Sequence, residues 1–207
     1  MRVEKKIQII VLAAGSSQRF GPTRDKTHIK INGRPMPVAI ALSLKQFHPD
    51  VLLIINEKNS LLQQSASSNR LAYRINPEPD NNGIGSSISL AVQATADADG
   101  WIFCLGDMPR IKAETCQQVL GQLLQRSERA IIIPRYAGQT GHPVGFGKYY
   151  RQALGLKNGD SGAKTIIQAH PQQIHYIETD DPGIIQDIDT PTDISILKTY
   201  KSITYKI

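Results

Sequence analysis

Apolar residues along the chain alternate between short continuous runs and runs with helical spacing. Short runs bounded by turn residues are typical of strands buried on both faces, whereas apolar residues three or four apart are typical of one helix face. The runs predict strands at residues 7–12, 51–55, 71–75, 101–105, 130–134, 174–178 and 184–188. Helices are predicted between them, at residues 37–47, within 57–68, after a loop at 76–83, at about 112–126, near 148–154 and 161–169, and from 189. Because crossovers of a dozen or more residues join parallel strands, this alternation predicts a mostly parallel sheet with helices on both faces.

The 207 residues suffice for one sizeable core and are few for two, so a single domain is predicted over residues 1–207. The chain after Arg129 is richer in glycine, with Gly138, Gly141, Gly145 and Gly147 within ten residues. We interpret this stretch as a small, loop-rich lobe that faces the substrate. The predicted fold class is therefore α/β: a single-domain, Rossmann-like, three-layer α/β/α fold with a mostly parallel sheet and that inserted lobe.

Charge and composition narrow the choice of partners. A net charge of +6 favours anionic partners, but the lysines and arginines are scattered and no basic run interleaves with aromatic residues. Small molecules that carry polyphosphate account for the charge, as do solvated surface lysines, and nucleic acid is not predicted. No apolar run approaches the ~20 residues of a membrane span, and no secretory cleavage pattern follows the basic N-terminus. A cytoplasmic protein without a membrane partner is expected.

The cysteines and histidines do not indicate a metal site. Cys104 lies within an apolar strand pattern and Cys116 in a predicted helix, which favours two buried, reduced thiols over a disulfide. His28, His48, His170 and His175 share no metal-ligand spacing. These histidines are expected to be surface or partly buried residues.

The first apolar run breaks abruptly into the small residues Ala13-Ala14-Gly15. A backbone that turns without bulky side chains exposes consecutive N–H groups, which suit phosphate oxygens. Arg19 adds a planar cation and Lys26 a point charge. The P-loop pattern is absent, and the dinucleotide fingerprint fails because Ser16-Ser17 follows the glycine. The turn is either a phosphate site of another kind or a plain bend from strand to helix.

Two acidic segments follow predicted strands. Asp107 comes directly after the strand at 101–105, at the carboxyl edge where open α/β sheets bind ligands, although an aspartate that caps a turn would look the same. Asp189 precedes Thr190-Pro191, which is equally typical of the start of a helix. If both segments are functional, their carboxylates meet at one rim of the sheet.

Five segments together resemble nucleotidyltransferases of the molybdenum cofactor cytidylyltransferase type. They span the chain from Ile9 to Asp193 in the order that the resemblance requires. The segments are Leu12-Ala13-Ala14-Gly15-Ser16-Ser17-Gln18-Arg19-Phe20-Gly21 with the later Lys26, Asn81-Asn82-Gly83-Ile84-Gly85-Ser86-Ser87, Leu105-Gly106-Asp107-Met108-Pro109, Gly141-His142-Pro143-Val144 together with Gly159-Asp160-Ser161-Gly162-Ala163-Lys164, and Asp187-Ile188-Asp189-Thr190-Pro191-Thr192-Asp193.

The resemblance implies transfer of CMP from CTP to molybdenum-molybdopterin, with Mg²⁺ as cofactor and release of pyrophosphate. An NTP-binding half would cover about residues 1–110 and an acceptor-binding half about 129–193. The implied roles are catalysis for Arg19, Lys26 and Asp107; metal binding for Asp107 and Asp189; nucleotide binding for Leu12, Ala13, Ala14, Gly15, Ser16, Asn82, Gly83, Gly85 and Ser86; and acceptor binding for His142, Pro143, Asp160, Gly162 and Lys164.

Several alternatives stay open at this point. Pro22-Thr23-Arg24 lengthens the gap before Lys26, so Lys30 is an alternative cation. Lys164 stands where the family commonly has arginine, and His142 could equally orient a loop. A non-catalytic carrier that delivers nucleotide or cofactor to a molybdenum hydroxylase, or a transferase that uses GTP or another acceptor, would share most of these motifs. A hydroxylase is also the implied recipient of the enzyme's product.

Overall fold

The computed structural model describes residues 5–15, 29–77, 79–157, 159, 162–188 and 193, and for residues 79–82 the backbone alone. The strands are β1 (Ile7–Ala13), β2 (Lys30–Ile31), β3 (Arg34–Pro35), β4 (Val51–Asn56), β5 (Ala72–Asn76), β6 (Gly100–Leu105), β7 (Ile131–Tyr136), β8 (Gln139–Thr140), β9 (Val144–Gly147) and β10 (Ile174–Glu178). The helices are α1 (Met36–Lys45), α2 (Ser60–Ser68), α3 (Pro79–Ala94), α4 (Ala113–Gln125), α5 (Arg151–Gly155) and α6 (Lys164–Ala169). Short 3₁₀ turns lie at Lys148–Tyr150, Pro171–Gln173 and Pro182–Ile185.

The main sheet is mostly parallel, as the sequence predicts. Its strand order is β10-β7-β9-β6-β1-β4-β5, and β8 pairs with β7. The pairs β6/β1, β1/β4, β4/β5 and β10/β7 are parallel, whereas β9 runs antiparallel to both of its neighbours. Strand β1 lies between two parallel neighbours, and all seven of its residues are buried. Its continuous apolar run therefore reflects burial on both faces.

Helices cover both faces of the sheet, which confirms the three-layer α/β/α fold. On one face, apolar residues of α1, α2 and α4 pack against alternate residues of the central strands, among them Ile9 and Val11. On the other face, α3, α5 and α6 pack against the residues between them, such as Ile10 and Trp101. The alternation follows from the strand period of two, because successive side chains point to opposite faces.

The strand predicted at residues 184–188 is wrong. The segment instead begins in the 3₁₀ turn Pro182–Ile185. Residues 186–188 follow this turn and pair with no strand. Asp181 caps this turn by accepting a hydrogen bond from the Gly183 N–H at 2.9 Å. A capped turn that opens with Pro-Gly overrides the strand tendency of the isoleucines that follow.

The glycine-rich stretch predicted as a loop-rich lobe also differs in the structure. Residues 144–147 form β9, which joins the main sheet between β6 and β7. A Cβ atom at Gly147 would stand 2.2 Å from the Glu128 carbonyl oxygen, and one at Gly145 would stand 3.2 Å from a Val119 methyl group. Glycine is therefore required here by close packing in a buried strand, and not by a loop.

The predicted loop at residues 76–83 is shorter than expected. Helix α3 already begins at Pro79, and Gly83 interrupts it with a φ of 55° and a ψ of −162°. That conformation is open to glycine and strained for other residues. The interruption separates a first helical turn from the main body of α3.

Other sequence-based expectations agree with the structure. Cys104 and Cys116 are buried free thiols. Within the described part of the chain, no helix is long and apolar enough to cross a membrane. The last predicted helix, from residue 189, lies outside the described residues apart from Asp193, and the division into an NTP half and an acceptor half stays a prediction.

Candidate nucleotidyl-transfer site

The end of β1 and the end of β6 meet at the carboxyl edge of the sheet. Leu12 is paired in register with Leu105, and the N–H of Gly106 donates to the Leu12 carbonyl oxygen at 2.9 Å. A Cβ atom at Gly106 would stand 2.9 Å from that oxygen, so the approach requires glycine. As a result, the turn at Ala13-Ala14-Gly15 and the carboxylate of Asp107 follow directly from two hydrogen-bonded strand ends.

The glycine turn presents backbone, and little side chain, to this edge. Leu12, Ala13 and Ala14 are buried, and the Ala14 methyl group packs in the apolar core. Any contact that these residues make with a nucleotide is therefore through their backbone. Gly15 is exposed, and no described atom lies within 4 Å of the position that a Cβ would take there. Ser16, Arg19 and Lys26 lie outside the described residues.

Two asparagines at strand ends form hydrogen bonds near this edge, and neither belongs to a predicted motif. Asn56 ends β4, next to β1, and its side-chain amide donates to the Ala14 carbonyl oxygen at 3.4 Å. Asn76 ends β5, and its amide donates to the hydroxyls of Ser86 and Ser87 at 2.9 Å each. A polar residue directly after a buried apolar run was the signal that could have found Asn56, whereas the strand before Asn76 is mostly exposed and gave no such signal.

The kinked helix α3 brings two predicted sites into contact. The Ser86 hydroxyl donates to the Gly83 carbonyl oxygen at 2.9 Å, which fixes the kink. The Gly85 N–H donates to the Gly159 carbonyl oxygen at 3.0 Å, and a Cβ at Gly162 would stand 2.9 Å from an Ile84 methyl group. The segment predicted to bind nucleotide therefore touches the segment predicted to bind acceptor. Asn82 lies in α3, and its side chain is not described.

Residues 181–188 run alongside Asp107. The N–H of Ile188 donates to the Asp107 carbonyl oxygen at 2.9 Å, and the Asp187 side chain is exposed. Asp189 lies outside the described residues. The chain directly before Asp189 therefore lies against the backbone of Asp107, as convergence of the two acidic segments requires.

His142 and Pro143 lie where β9 enters the sheet, and the peptide bond between them is cis. The His142 N–H donates to the Ile184 carbonyl oxygen at 2.9 Å, which ties the residue to the segment before Asp187. Pro143 is buried, and His142 keeps some surface although its Nδ1 atom is buried and has no hydrogen-bond partner within the described chain. Burial lowers the pKa of His142, while a hydrogen bond with the Phe103 backbone and the charge of Asp107 oppose that shift.

This depressed pKa predicts acid sensitivity. The unfolded chain binds a proton at this imidazole at a higher pH than the folded protein does, so the free energy of unfolding should fall as the pH drops below about 6.5. Replacing His142 with glutamine should reduce that loss. Melting temperatures between about pH 7.5 and pH 5.5 check this. His175→Gln is the comparison: the pKa of His175 is also lowered, but by weaker burial and by Arg126, so this variant should reduce the loss of stability less than His142→Gln does. Parallel curves for His142→Gln and the unaltered protein would contradict the prediction.

The remaining acceptor-side residues are only partly described. Gly162 is buried with a φ of 51°, and Lys164 is the exposed first residue of α6. Asp160 lies outside the described residues.

The donor set at this edge fits a hard cation that keeps most of its waters. Within the residues described, no three histidine, cysteine, aspartate or glutamate side chains form a group that could hold a metal ion. Asp107 is a partly buried carboxylate at the edge. Mg²⁺ is typically bound by one or two carboxylates together with substrate phosphates and water, so a site of this size suits it.

The chain belongs to the family of MobA-like NTP transferase domains, whose model matches residues 9–174. It is therefore a member of a nucleotidyltransferase family. Among curated proteins it is 25% identical over 149 residues to the bifunctional protein GlmU of Xanthomonas oryzae pv. oryzae (strain MAFF 311018). That match covers 72% of this chain and 31% of the relative, so the chain spans about a third of the relative's length.

Solved structures share the fold. Rv0371c from Mycobacterium tuberculosis H37Rv is 21% identical with a TM-score of 0.77, over 94% of this chain and 98% of that chain. A structure of Rv0371c in complex with manganese has a TM-score of 0.72 at 20% identity, over 93% and 97% of the two chains. The 4-diphosphocytidyl-2C-methyl-D-erythritolsynthase of Anaerococcus prevotii DSM 20548 is 13% identical with a TM-score of 0.71, over 95% and 96%.

Proposed function

We propose that this protein transfers CMP from CTP to the phosphate of molybdenum-molybdopterin and releases pyrophosphate. The observation that carries the proposal is the hydrogen bond from Gly106 to Leu12, because it sets the turn at Ala13-Ala14-Gly15 beside the carboxylate of Asp107, a pairing that suits phosphate and a divalent cation. An oxygen of the acceptor phosphate attacks the α-phosphorus of CTP. A new P–O bond forms, the bond to the β-phosphate oxygen breaks, and pyrophosphate leaves with the bonding electrons. The reaction requires no protein nucleophile.

The chain's own residues bind and orient the two substrates. In this proposal the backbone N–H groups at Gly15 and Ser16, together with Arg19 and Lys26, hold the triphosphate. Ribose and base lie against the kink at Gly83, where small residues allow close approach. The acceptor enters from the side of His142 and Lys164. Positioning of this kind supplies much of the catalysis in nucleotidyl transfer, since it aligns the attacking and leaving oxygens.

Asp107 and Asp189 would hold Mg²⁺ next to the phosphates. When bound, the ion neutralises charge that builds up on the leaving pyrophosphate. Support comes from the contact of Ile188 with the Asp107 backbone and from the manganese complex of Rv0371c, which concerns that protein. Substrate binding and orientation are left to the fixed hydrogen-bond donors of the chain.

CTP is proposed as the donor because Ala14 and the loop around Gly83 resemble the cytidylyl branch of the family. The guanylyl branch more often has a glycine at the position of Ala14. Since the Ala14 methyl group is buried, it would act on the path of the backbone and not by touching the base. Competition between CTP and GTP for turnover tests this proposal, and Ala14→Gly is expected to loosen the preference. Equal turnover of both nucleotides by the unaltered protein would contradict it.

A carrier that binds nucleotide or cofactor without turnover, for delivery to a molybdenum hydroxylase, is the second candidate. The observation that favours it is that the turn after β1 presents backbone and little side chain, which binding alone would explain. Asp107 favours catalysis, because a carrier has no need of a metal-binding carboxylate beside the phosphates. A thermal-shift panel of nucleotides with and without Mg²⁺ separates the two, since the enzyme requires stabilisation by CTP that depends on the metal.

The cations that flank the turn give a further prediction. A charge-assisted hydrogen bond to phosphate contributes roughly 1.5 to 3 kcal/mol, so Arg19→Ala should weaken productive CTP binding about tenfold or more with the melting temperature unchanged. Lys26→Ala should act in the same direction. Lys30 is the matched comparison, because it is an exposed residue of β2. If Lys30→Ala weakens CTP binding while Lys26→Ala is silent, the cation has been assigned to the wrong lysine.

A further inference from the structure

Asp181 stands out in the described part of the chain as a buried charged side chain, with only 1% of its surface exposed. A buried carboxylate is costly unless hydrogen bonds compensate it. Its Oδ2 atom accepts from the Lys112 N–H at 2.8 Å and from the Thr115 hydroxyl at 2.7 Å. Its Oδ1 atom accepts from the Gly183 N–H at 2.9 Å. Three donors therefore converge on this one group.

These hydrogen bonds join two segments that are distant in sequence. Lys112 and Thr115 belong to the start of α4, which directly follows the loop that begins at Asp107. The Lys112 side chain does not cap this helix, and the carboxylate of Asp181 satisfies the backbone N–H of Lys112, the N-cap residue, in the way that the N3 side chain of a capping box does. Gly183 belongs to the turn that leads to Asp187 and Ile188. Asp181 thus connects the chain shortly after the first acidic segment with the chain shortly before the second.

The two segments remain in close contact beyond this connection. A Cβ atom at Gly183 would stand 2.3 Å from the Arg110 carbonyl oxygen. Arg110 donates from Nη1 to the Gln186 side-chain oxygen at 2.9 Å, and further along Ile188 donates to the Asp107 carbonyl oxygen. Asp181 closes one end of this row of contacts, and Asp107 lies at the other end. The contacts between the two segments are therefore continuous from Asp181 to Asp107.

We propose that Asp181 is a positioning residue for the divalent-metal site. It holds the segment that ends at Ile188 against the backbone of Asp107, and through that contact it sets the affinity for the metal ion. The inference rests on the proposed function, which assigns both segments to the metal. It adds a residue that belongs to none of the motifs and touches neither substrate.

Asp181→Asn tests the inference, because it keeps the size of the side chain and replaces an acceptor oxygen with a donor. Binding of Mn²⁺ in the presence of CTP is measured from the signal of the free ion in electron paramagnetic resonance. Loss of a direct hydrogen-bond partner of a metal ligand typically weakens metal binding 10- to 100-fold, and because Asp181 acts at one remove from the ligands, a loss at the lower end of this range, ~10-fold, is expected. CTP binding without metal should change less than about twofold, because no contact of the turn at Gly15 is altered.

Three control variants separate positioning from general stability. Asp180→Asn removes the neighbouring carboxylate, which is 94% exposed and paired with Lys112 at 3.2 Å, and should leave Mn²⁺ affinity unchanged. Leu154→Ala empties a buried site in α5 on the other face of the sheet and should lower the melting temperature without changing Mn²⁺ affinity. Thr115→Val removes one hydrogen bond to Asp181 and should cause a smaller loss of affinity. It also keeps the inference testable if Asp181→Asn does not fold.

The outcomes are distinguishable. Weaker Mn²⁺ binding in Asp181→Asn and Thr115→Val, with Asp180→Asn and Leu154→Ala unchanged, supports the inference. Unchanged Mn²⁺ affinity in Asp181→Asn, or an equal loss in Leu154→Ala, overturns it and leaves the proposed function intact. Failure of the unaltered protein to bind Mn²⁺ together with CTP overturns both.

Discussion

Replacement of Asp107 with asparagine is expected to lower turnover ~100-fold or more, equivalent to about 2.7 kcal/mol of barrier. Asparagine keeps the size and shape of the side chain but removes the charge that would hold the metal. CTP binding without metal should change little, because the backbone of the turn at Gly15 stays in place. Turnover titrated against Mg²⁺ for the variant and the unaltered protein measures the effect.

A matched control for this change is Asp97→Asn. Asp97 lies in the loop before β6, at the opposite end of that strand, and forms an exposed pair with Lys6. Exposed pairs contribute little to stability, so turnover should be unchanged. Asp189→Asn should resemble Asp107→Asn with a smaller loss, since the exposed Asp187 offers a poorer substitute. Near-normal turnover and metal dependence in Asp189→Asn would reduce that residue to a helix cap.

Replacement of Gly15 with valine is expected to abolish useful CTP binding while the protein stays folded. The position has room for a side chain in the described structure, but in the proposed function that room is where a phosphate approaches the backbone. Loss of two charge-assisted hydrogen bonds to phosphate, each worth about 1.5 to 3 kcal/mol, corresponds to a loss of affinity of ~100-fold or more. Titration calorimetry with CTP and the melting temperature together measure the effect.

Gly121→Val provides the matched control for the turn. Gly121 lies within α4, where a Cβ likewise meets no described atom. The substitution should leave CTP affinity unchanged. Equal CTP affinity in Gly15→Val and the unaltered protein would mean that the turn is a plain bend and that phosphate binds elsewhere.

The order of strands and helices in the first half of the chain could be predicted from sequence because local and tertiary preferences agree there. The apolar runs that became β1, β4 and β6 are buried on both faces, and such strands need no information from distant residues to be recognised. Flanking glycine and asparagine residues mark their ends. Strands and helices can be predicted from sequence where local preference and tertiary burial favour the same structure.

In the second half, β7, β10, α5 and α6 lie near their predicted positions, but two segments resisted prediction because their conformations depend on distant partners. Gly147 looks like a loop residue, but it lies in a strand since Glu128 leaves no room for a Cβ. The isoleucines at 184 and 185 look like a strand, but Asp181 and the Arg110 backbone hold them in a 3₁₀ turn. Glu128 and Arg110 are distant in sequence from the residues that they constrain, so these two contacts are not visible in a window of ten residues.

The candidate site divides along the same line. Asp107 and the glycine turn could be found from their position after buried strands, and the structure places them on hydrogen-bonded strand ends. Asp181 could not be found, because an aspartate before Pro182 is typical of an ordinary turn. Its role depends on donors at Lys112 and Thr115, which only the folded chain brings together.

We expect the chain to transfer a nucleotide to a phosphorylated acceptor. The most direct measurement is incubation of the purified protein with CTP labelled in the α-phosphate, molybdenum-molybdopterin and Mg²⁺. We predict that label appears in the molybdopterin product together with an equal amount of pyrophosphate, and that both disappear when the acceptor or the metal is omitted. Binding of labelled CTP without pyrophosphate release under the same conditions would contradict the claim and favour a carrier.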